Sequence, residues 1–152
     1  PMVLWAWCVR HTERLIEELH FHNVRTDALG VHLAWKDGNS TAGLCKLPVP
    51  SDRFDELLDG ARTALRRAYL PRKVATHMHV VAPELRRARG FQLSLFDPPN
   101  SKLDAVARVK TAINERCGRF TLRSATTLYL PAVYKDPAND FDICDVRGKV
   151  CF

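Results

Sequence analysis

Apolar residues recur at three- and four-residue intervals in three stretches of the chain, and this spacing predicts amphipathic helices. The first helix is expected over residues 5–22, and the second over residues 51–70 with Ser51 as its N-cap. The third is expected to start at residue 101 and to close at residues 117–118, where a glycine favours termination. Each stretch has one apolar stripe, so each helix is expected to bury one side and expose the other.

Alternation of apolar and polar residues predicts three strands, at residues 31–36, 42–47 and 74–82. Residues 37–39, Asp-Gly-Asn, are a strong hairpin signal between the first two strands. The second strand is expected to end before two prolines, because proline cannot donate a ladder hydrogen bond. The side chains expected on the core side of the hairpin are Val31, Leu33, Trp35, Cys45 and Leu47.

The third strand is expected to present two different faces. One face groups Val74, Thr76, Met78 and Val80. The other groups Ala75, His77, His79 and Val81.

Polar residues are expected together on the face of the sheet that the helices leave open: His32, Lys36, Lys46, His77 and His79. The simplest interpretation is that they only face solvent, as polar residues usually do. Two histidines two positions apart on a strand also suit a metal ion, but no third ligand of suitable spacing accompanies them. No metal site is therefore predicted.

The order helix–strand–strand–helix–strand predicts an α+β fold, a small antiparallel or mixed sheet with two helices packed on one face. A fourth strand is either missing or formed by residues 2–8, where Trp5 and Trp7 alternate with small residues. A C-terminal helix and short β-like runs over residues 120–133 follow as an extension. The predicted parts are a domain of residues 1–85, a linker of residues 86–100 and an extension of residues 101–152.

The composition is that of a globular protein, with 46% hydrophobic and 26% charged residues in a chain of 152. The net charge is +6, and the last 22 residues do not contribute to it, because four aspartates there outweigh three basic residues. A basic folded part favours a polyanionic partner, with nucleic acid ahead of an anionic membrane. The chain begins with Pro1 directly before Met2, which favours a fragment, a processed product or an unusual start site.

Five widely spaced cysteines, with no Cys-x-x-Cys pair, predict reduced thiols of an intracellular protein. Cys144 and Cys151 lie near Asp142 and Asp145, but this spacing matches no usual metal site. No apolar run approaches the length of a membrane span, and no secretory signal peptide is visible. A cytoplasmic location is expected.

The pentapeptide Gln92-Leu93-Ser94-Leu95-Phe96 lies between an arginine-rich run and an Asp-Pro-Pro-Asn breaker. Its flanks make it too short for a core helix, and the prolines prevent its continuing as a central strand. A buried edge strand is one interpretation. The pentapeptide also resembles the motif by which bacterial DNA polymerases and repair proteins dock on the sliding clamp. That resemblance implies that Gln92 fills a polar pocket while Leu95 and Phe96 enter a hydrophobic cleft, with Leu93 as a further contact.

The rest of the chain resembles the C-terminal part of a Y-family translesion DNA polymerase of the DinB/UmuC type. The resemblance rests on residues 31–38 with the hairpin after them, on Ser51-Asp52-Arg53-Phe54 and on residues 76–80. Residues 118–125 resemble the tail that follows the clamp motif in longer bacterial members. The resemblance implies a "little finger" domain, a four-stranded sheet with two helices on one face, whose open face lies along the DNA major groove.

The resemblance implies that this open face and the segment after it contact DNA phosphates on both strands. The candidate DNA-binding residues are Lys36, Lys46, Arg72, Lys73, His77, His79, Arg86, Arg87 and Arg89. The implied partners are primer–template DNA and the bacterial sliding clamp, and the implied setting is DNA-damage repair and the SOS response.

No catalytic residue is predicted in this chain. The family transfers nucleotides with two metal ions held by palm-domain carboxylates, and nothing here resembles a palm. Asp140 and Asp142 are the closest acidic pair, and they are expected to be solvated. The chain alone is therefore not expected to polymerise DNA or to hold a cofactor, and Mg²⁺ is expected only in a parent polymerase.

Two alternatives remain at this point. The first is a non-catalytic adaptor, related to these polymerases, that binds the clamp and recruits others; coding sequence upstream of Pro1 would separate it from a polymerase fragment. The second is an unrelated small α+β domain, in which residues 92–96 form a structural strand.

Overall fold

A computed structural model describes residues 2–87, 101–118 and 121–130. Its helices are α1 (Met2–Phe21), α2 (Phe54–Ala68) and α3 (Ser101–Cys117), with a short 3-10 helix at Ala125–Tyr129. Its strands are β1 (Val24–Trp35), β2 (Ser40–Ser51), β3 (Ala75–Val81) and β4 (Leu85–Arg87). The strands form one antiparallel sheet in which β2 pairs with one edge of β1, while β3 and β4 pair with the other. The predicted α+β fold is confirmed.

The core lies between the sheet and the two helices α1 and α2. The long strand β1 supplies Leu29, Val31, Leu33 and Trp35, which are at most 3% exposed. Residues from both helices complete the cluster: Cys8, Ile16, Leu19, Leu57, Ala61, Ala64, Leu65 and Ala68. Burying one large aliphatic side chain stabilises a fold by about 1.5–3 kcal/mol, so this one-sided core is the main source of stability.

Residues 2–8 form the first turns of α1, and the alternative of a strand there is wrong. Trp7 stacks on His11 with ring centroids 5.7 Å apart, a contact between residues four apart that a helix provides and a strand does not. Trp5 packs against the core and lies 4.9 Å from the Arg62 guanidinium. The fourth strand is instead Leu85–Arg87, which extends the sheet to residue 87.

Strand β2 continues through Pro48 and Pro50, where the sequence predicted its end. The strand lies at the edge of the sheet, so one side of its backbone needs no partner. Its pairing with β1 skips from Ala28–Lys46 to Thr26–Ser51, so both prolines fall in an irregular stretch of the ladder. Proline is tolerated at such edges and bulges because no hydrogen bond is lost there.

Strand β3 contains a bulge at Thr76 that the alternation did not predict. Ala34 pairs with His77 and Trp35 with Ala75, which leaves Thr76 as the extra residue. The bulge reverses the alternation before it. Ala75 consequently packs against the core, whereas Val74, predicted to share a face with Met78, is 63% exposed.

Ser51 is the last residue of β2 and not the N-cap of α2. The N-cap is Arg53, whose side chain makes no capping hydrogen bond. The Ser51 hydroxyl oxygen accepts a hydrogen bond from the Arg53 backbone N–H at 3.0 Å. The turn into α2 is therefore still held by Ser51, from two residues upstream of the cap.

Both predicted glycine turns are confirmed. Gly38 has a φ of 83° in the β1–β2 hairpin, where Trp35 N–H donates to the Asn39 carbonyl at 2.9 Å. Gly118 has a φ of 106° and ends α3. The β-like runs predicted after it are wrong for residues 125–129, which form the 3-10 helix.

Cys8, Cys45 and Cys117 are free thiols in the described ranges. Burial against the sheet raises the pKa of the Cys8 thiol to about 12, although a hydrogen bond with Thr12 opposes the shift. This thiol is a packing group. None of the described helices is long and apolar enough to cross a bilayer.

Candidate nucleic-acid interface

The open face of the sheet is built from the β1 residues that alternate with the core residues. His32 pairs with His79 and Ala34 with His77 across the β1–β3 ladder. Residues that pair directly lie on the same face, so all three histidines lie together on this face. The rings of His32 and His79 are 6.0 Å apart between centroids. The sequence prediction that these histidines share the open face is therefore confirmed.

The middle of the open face has mostly small side chains. Gly30, Ala34 and Ala42 occupy it, with Leu44 and Val81 exposed at 44% and 45% beside them. A side chain at Gly30 would meet the Val81 side chain at 2.8 Å, so glycine leaves room for Val81 to lie over the central strand. The result is a shallow surface that a broad, convex partner can approach.

One group of cations lies at the hairpin end of the sheet. Lys36 and Arg72 are exposed and pair with no carboxylate in the described part of the chain. Lys73 differs, because its ammonium lies 2.6 Å from Asp37 Oδ2. The hydrogen bond from Lys73, with a smaller contribution from the Asn39 backbone N–H, lowers the Asp37 pKa to about 2. At neutral pH the charge of Lys73 is therefore largely neutralised.

A second group of cations lies at the other end, where β2 and β4 flank β1. Lys46 is exposed, pairs with Ala28 across the ladder and has no carboxylate partner among the described residues. Arg86 on β4 lies 2.7 Å from Asp27 Oδ2. The Asp27 pKa is lowered, mainly by the hydrogen bond from Arg86. Asp27 is therefore ionised at neutral pH, and the ion pair persists.

The two groups of cations are separated along the sheet. Lys46 is level with Ala28, and Lys36 follows Trp35 at the opposite end of β1. At about 3.4 Å per residue this places the two lysines roughly 25 Å apart. The sheet therefore has cations at both ends, and the open face between them carries glycine, alanine, histidine and aliphatic side chains.

The remaining predicted residues do not all reach this face. Arg87 pairs with Val24, which packs against the core, so it belongs to the opposite side of the ladder. Arg89 and the clamp-binding candidates lie outside the described residues: Gln92, Leu93, Leu95 and Phe96.

Arg67, near the C-terminal end of α2, is a further cation beside the edge strand and was not among the predicted DNA-binding residues. Its guanidinium donates a hydrogen bond to the Leu44 carbonyl on the edge strand β2. The contact exists because α2 approaches β2 closely at Gly43, where a Cβ would lie 2.1 Å from the Ala64 carbonyl oxygen. A glycine inside an alternating strand indicates that another backbone approaches closely. Gly43 is such a glycine, so the sequence contained a signal for this contact.

The three histidines do not make a metal centre. In the described ranges no three His, Cys, Asp or Glu side chains are arranged to hold an ion. The face therefore offers positive charge, imidazole rings and small apolar groups, which suit a polyanionic surface.

Comparison with known proteins identifies one family. The model of the impB/mucB/samB family C-terminal domain matches residues 1–95, which include α1, α2 and all four strands. Neither the curated proteins nor the solved structures contain a significant match to the chain.

Proposed function

The chain belongs to the impB/mucB/samB C-terminal domain family, a C-terminal portion of Y-family polymerases, and we propose that its open sheet face binds duplex DNA through phosphate contacts. The observation that carries the proposal is the pair of cation groups at the two ends of the sheet. The family match also removes the alternative of an unrelated α+β domain.

The spacing of the cations supports contact with both DNA strands. A B-DNA major groove is about 12 Å wide, with a row of phosphates on each side. Cations roughly 25 Å apart can reach both rows while the shallow middle of the sheet lies over the groove. Contacts to phosphates position a protein on DNA without reading bases, so binding is expected to be independent of sequence.

The cations are not expected to contribute equally to DNA affinity. Lys36, Lys46 and Arg72 have no carboxylate partner among the described residues, and each can displace a condensed counterion from DNA. Lys73 and Arg86 must first give up their carboxylate partners, so a phosphate gains less from them. The imidazole N–H groups of His77 and His79 would donate hydrogen bonds to phosphate in this arrangement.

The test is the salt dependence of binding to a duplex of arbitrary sequence. Replacing Lys36, Lys46 and Arg72 together with alanine should reduce the slope of log affinity against log salt by about 2–3, since each lost phosphate contact removes about 0.9. Fluorescence anisotropy at several salt concentrations measures this slope. A second duplex of unrelated sequence should give the same values.

The matched control removes the same charge from another surface. Lys102, Arg108 and Arg116 are exposed on α3, away from the open face. Their triple alanine variant should change the slope by less than the open-face variant does. Equal losses in both variants would mean that binding follows net charge and not this face.

We further propose that residues 92–96 dock on the bacterial sliding clamp during lesion bypass. This proposal rests on the sequence Gln-Leu-Ser-Leu-Phe alone. Docking would raise the local DNA concentration at the open face, an effective-concentration effect that needs no new contact. It also keeps a protein with weak, sequence-independent affinity near the primer terminus.

Replacing Leu95 and Phe96 with alanine should abolish clamp binding in a pull-down, because these two side chains are the proposed anchors in the hydrophobic cleft. DNA binding should be unchanged. Ser94→Ala is the matched control within the peptide, and it should retain clamp binding. Clamp binding by the Leu95/Phe96 double variant would show that the motif is accidental.

We infer that this chain positions DNA and supplies no polymerase chemistry of its own. Asp27 and Asp37, two of its carboxylates in the described ranges, serve as ion-pair partners. The nucleotidyl transfer of a parent polymerase would use carboxylates and Mg²⁺ elsewhere in that protein. A primer-extension assay with this chain alone is expected to give no product.

A further inference from the structure

A buried carboxylate on α1 is held by residues from the C-terminal segment. The Glu13 side chain is 2% exposed, and its Oε1 forms an ion pair with the Lys110 ammonium on α3. The Ser124 backbone N–H donates to the same oxygen at 2.9 Å. Glu13 Oε2 has no hydrogen-bond partner among the described residues. Among the described residues, both groups that bind Glu13 Oε1 come from residues 101–118 and 121–130, here called the C-terminal arm.

Other contacts position the two groups that bind Glu13, which are the Lys110 ammonium and the Ser124 backbone N–H. The Lys110 ammonium also lies 5.1 Å from the ring centroid of Phe54, at the start of α2. The Asn114 side chain makes two hydrogen bonds with the Leu122 backbone, at 2.7 and 3.0 Å, which fix the turn that leads to Ser124. The arm thus presents an ammonium and a backbone N–H to one point on α1.

Outside this point the arm is attached by few buried side chains. Among the α3 side chains that the structure describes, none is buried, and Val106 and Val109 are 64% and 56% exposed. In the rest of the described arm, Thr127 and Leu130 are the buried residues. An element with so few buried contacts is of the kind that opens without global unfolding.

We propose that the C-terminal arm docks reversibly on α1 and that Glu13 is the latch. A carboxylate is compatible with both states, because it is hydrated when the arm is released and paired when the arm is docked. A buried ion pair adds little net stability but is specific, since removing one partner leaves an uncompensated buried charge. An apolar residue at position 13 would instead favour permanent docking and would expose an apolar surface on release.

The latch lies on the helical side of the sheet, opposite the open face. Release of the arm therefore leaves the proposed DNA surface intact and uncovers the part of α1 around Glu13. The proposal does not depend on DNA or clamp binding.

Hydrogen exchange on the full chain tests the proposal. In the native protein, the amides of Ser124, Thr127 and Leu130 should exchange at least about 10-fold faster than the core amides of β1, because the arm opens while the sheet stays folded. Equal protection of the two sets, each matching global unfolding, would show that the arm is a permanent part of the domain.

Point variants test whether Glu13 holds the C-terminal arm on α1. Lys110→Met should accelerate exchange in the arm by at least about 10-fold and leave β1 unchanged, because the Glu13 carboxylate can no longer stay buried. Lys102→Met, an exposed lysine of the same helix, should have no effect. The double variant Glu13→Gln/Lys110→Met should restore protection, since it removes the unpaired charge and keeps an acceptor for Ser124. Protection unchanged in K110M, or not restored in the double variant, would overturn the assignment of Glu13.

Discussion

The two faces of the sheet are made by the same strands but follow different rules. On the covered face, Leu29, Val31 and Leu33 of β1 are at most 1% exposed and pack against both helices. On the open face, the alternating positions carry glycine, histidine and alanine. On the covered face, packing against the helices limits which side chains fit. On the open face none of the described helices packs, so the side chains can be suited to the partner proposed to bind there. Stability and the proposed DNA binding are consequently expected to be separable in this domain.

Two strand glycines show the difference most clearly. A Cβ at Gly43, on the covered face, would lie 2.1 Å from the Ala64 carbonyl oxygen and 2.9 Å from the Ala68 backbone nitrogen. A Cβ at Gly30, on the open face, would meet the end of the Val81 side chain at 2.8 Å. The first obstacle is the backbone of α2, and the second is an exposed side chain that can rotate.

The largest expected effect is therefore on stability. Gly43→Ala should lower the free energy of unfolding by about 1–3 kcal/mol or more, because α2 must move away from β2. Gly30→Ala should change it by no more than about 1 kcal/mol in either direction. Urea unfolding followed by circular dichroism measures both. Similar losses in the two variants would show that the open face is packed as tightly as the covered one.

A smaller effect, on DNA affinity, is expected from removing the carboxylate that neutralises Lys73. Asp37→Asn removes the partner of Lys73, so DNA affinity should rise roughly threefold to tenfold and the salt slope should steepen by about 0.9. Anisotropy titrations measure both quantities. The double variant Asp37→Asn/Lys73→Ala should lose the gain. If it keeps the gain, the effect comes from removing negative charge and not from freeing Lys73.

The smallest expected effect is on acid stability at the hairpin. The Asp37 pKa is about 2 in the folded protein, below the ordinary value of 3.8. Its contribution to folding is thus complete above pH 3.8 and is lost as the pH falls toward 2. The stability difference between the native protein and Asp37→Asn should be constant above about pH 5, decrease as the pH falls, and disappear near about pH 1. A difference that persists at about pH 1 would assign it to another cause, such as the turn geometry.

Local patterns in the sequence predicted most of the elements. The apolar spacing in α2, the Asp-Gly-Asn turn and the alternation in β1 each act between residues close in the chain, so they are visible without the fold. The membership of His32, His77 and His79 in one face follows from the same alternation. The clamp peptide at residues 92–96 stays a prediction from its sequence.

Other features depended on neighbours distant in the chain. The bulge at Thr76 and the path of β2 through its prolines follow from pairing with β1, which local alternation does not specify. The neutralisation of Arg86 requires Asp27, 59 residues away. The burial of Glu13 requires Lys110, 97 residues away.

The amino-acid order by itself therefore determined the helices, the hairpin and the two-faced character of the sheet, because hydrophobic periodicity and turn chemistry are local. Only the tertiary structure decided which cations have a carboxylate partner within the described residues and which carboxylate becomes buried. Charge is long-ranged and acts through space, so the state of a charged group depends on which distant residue the fold brings beside it.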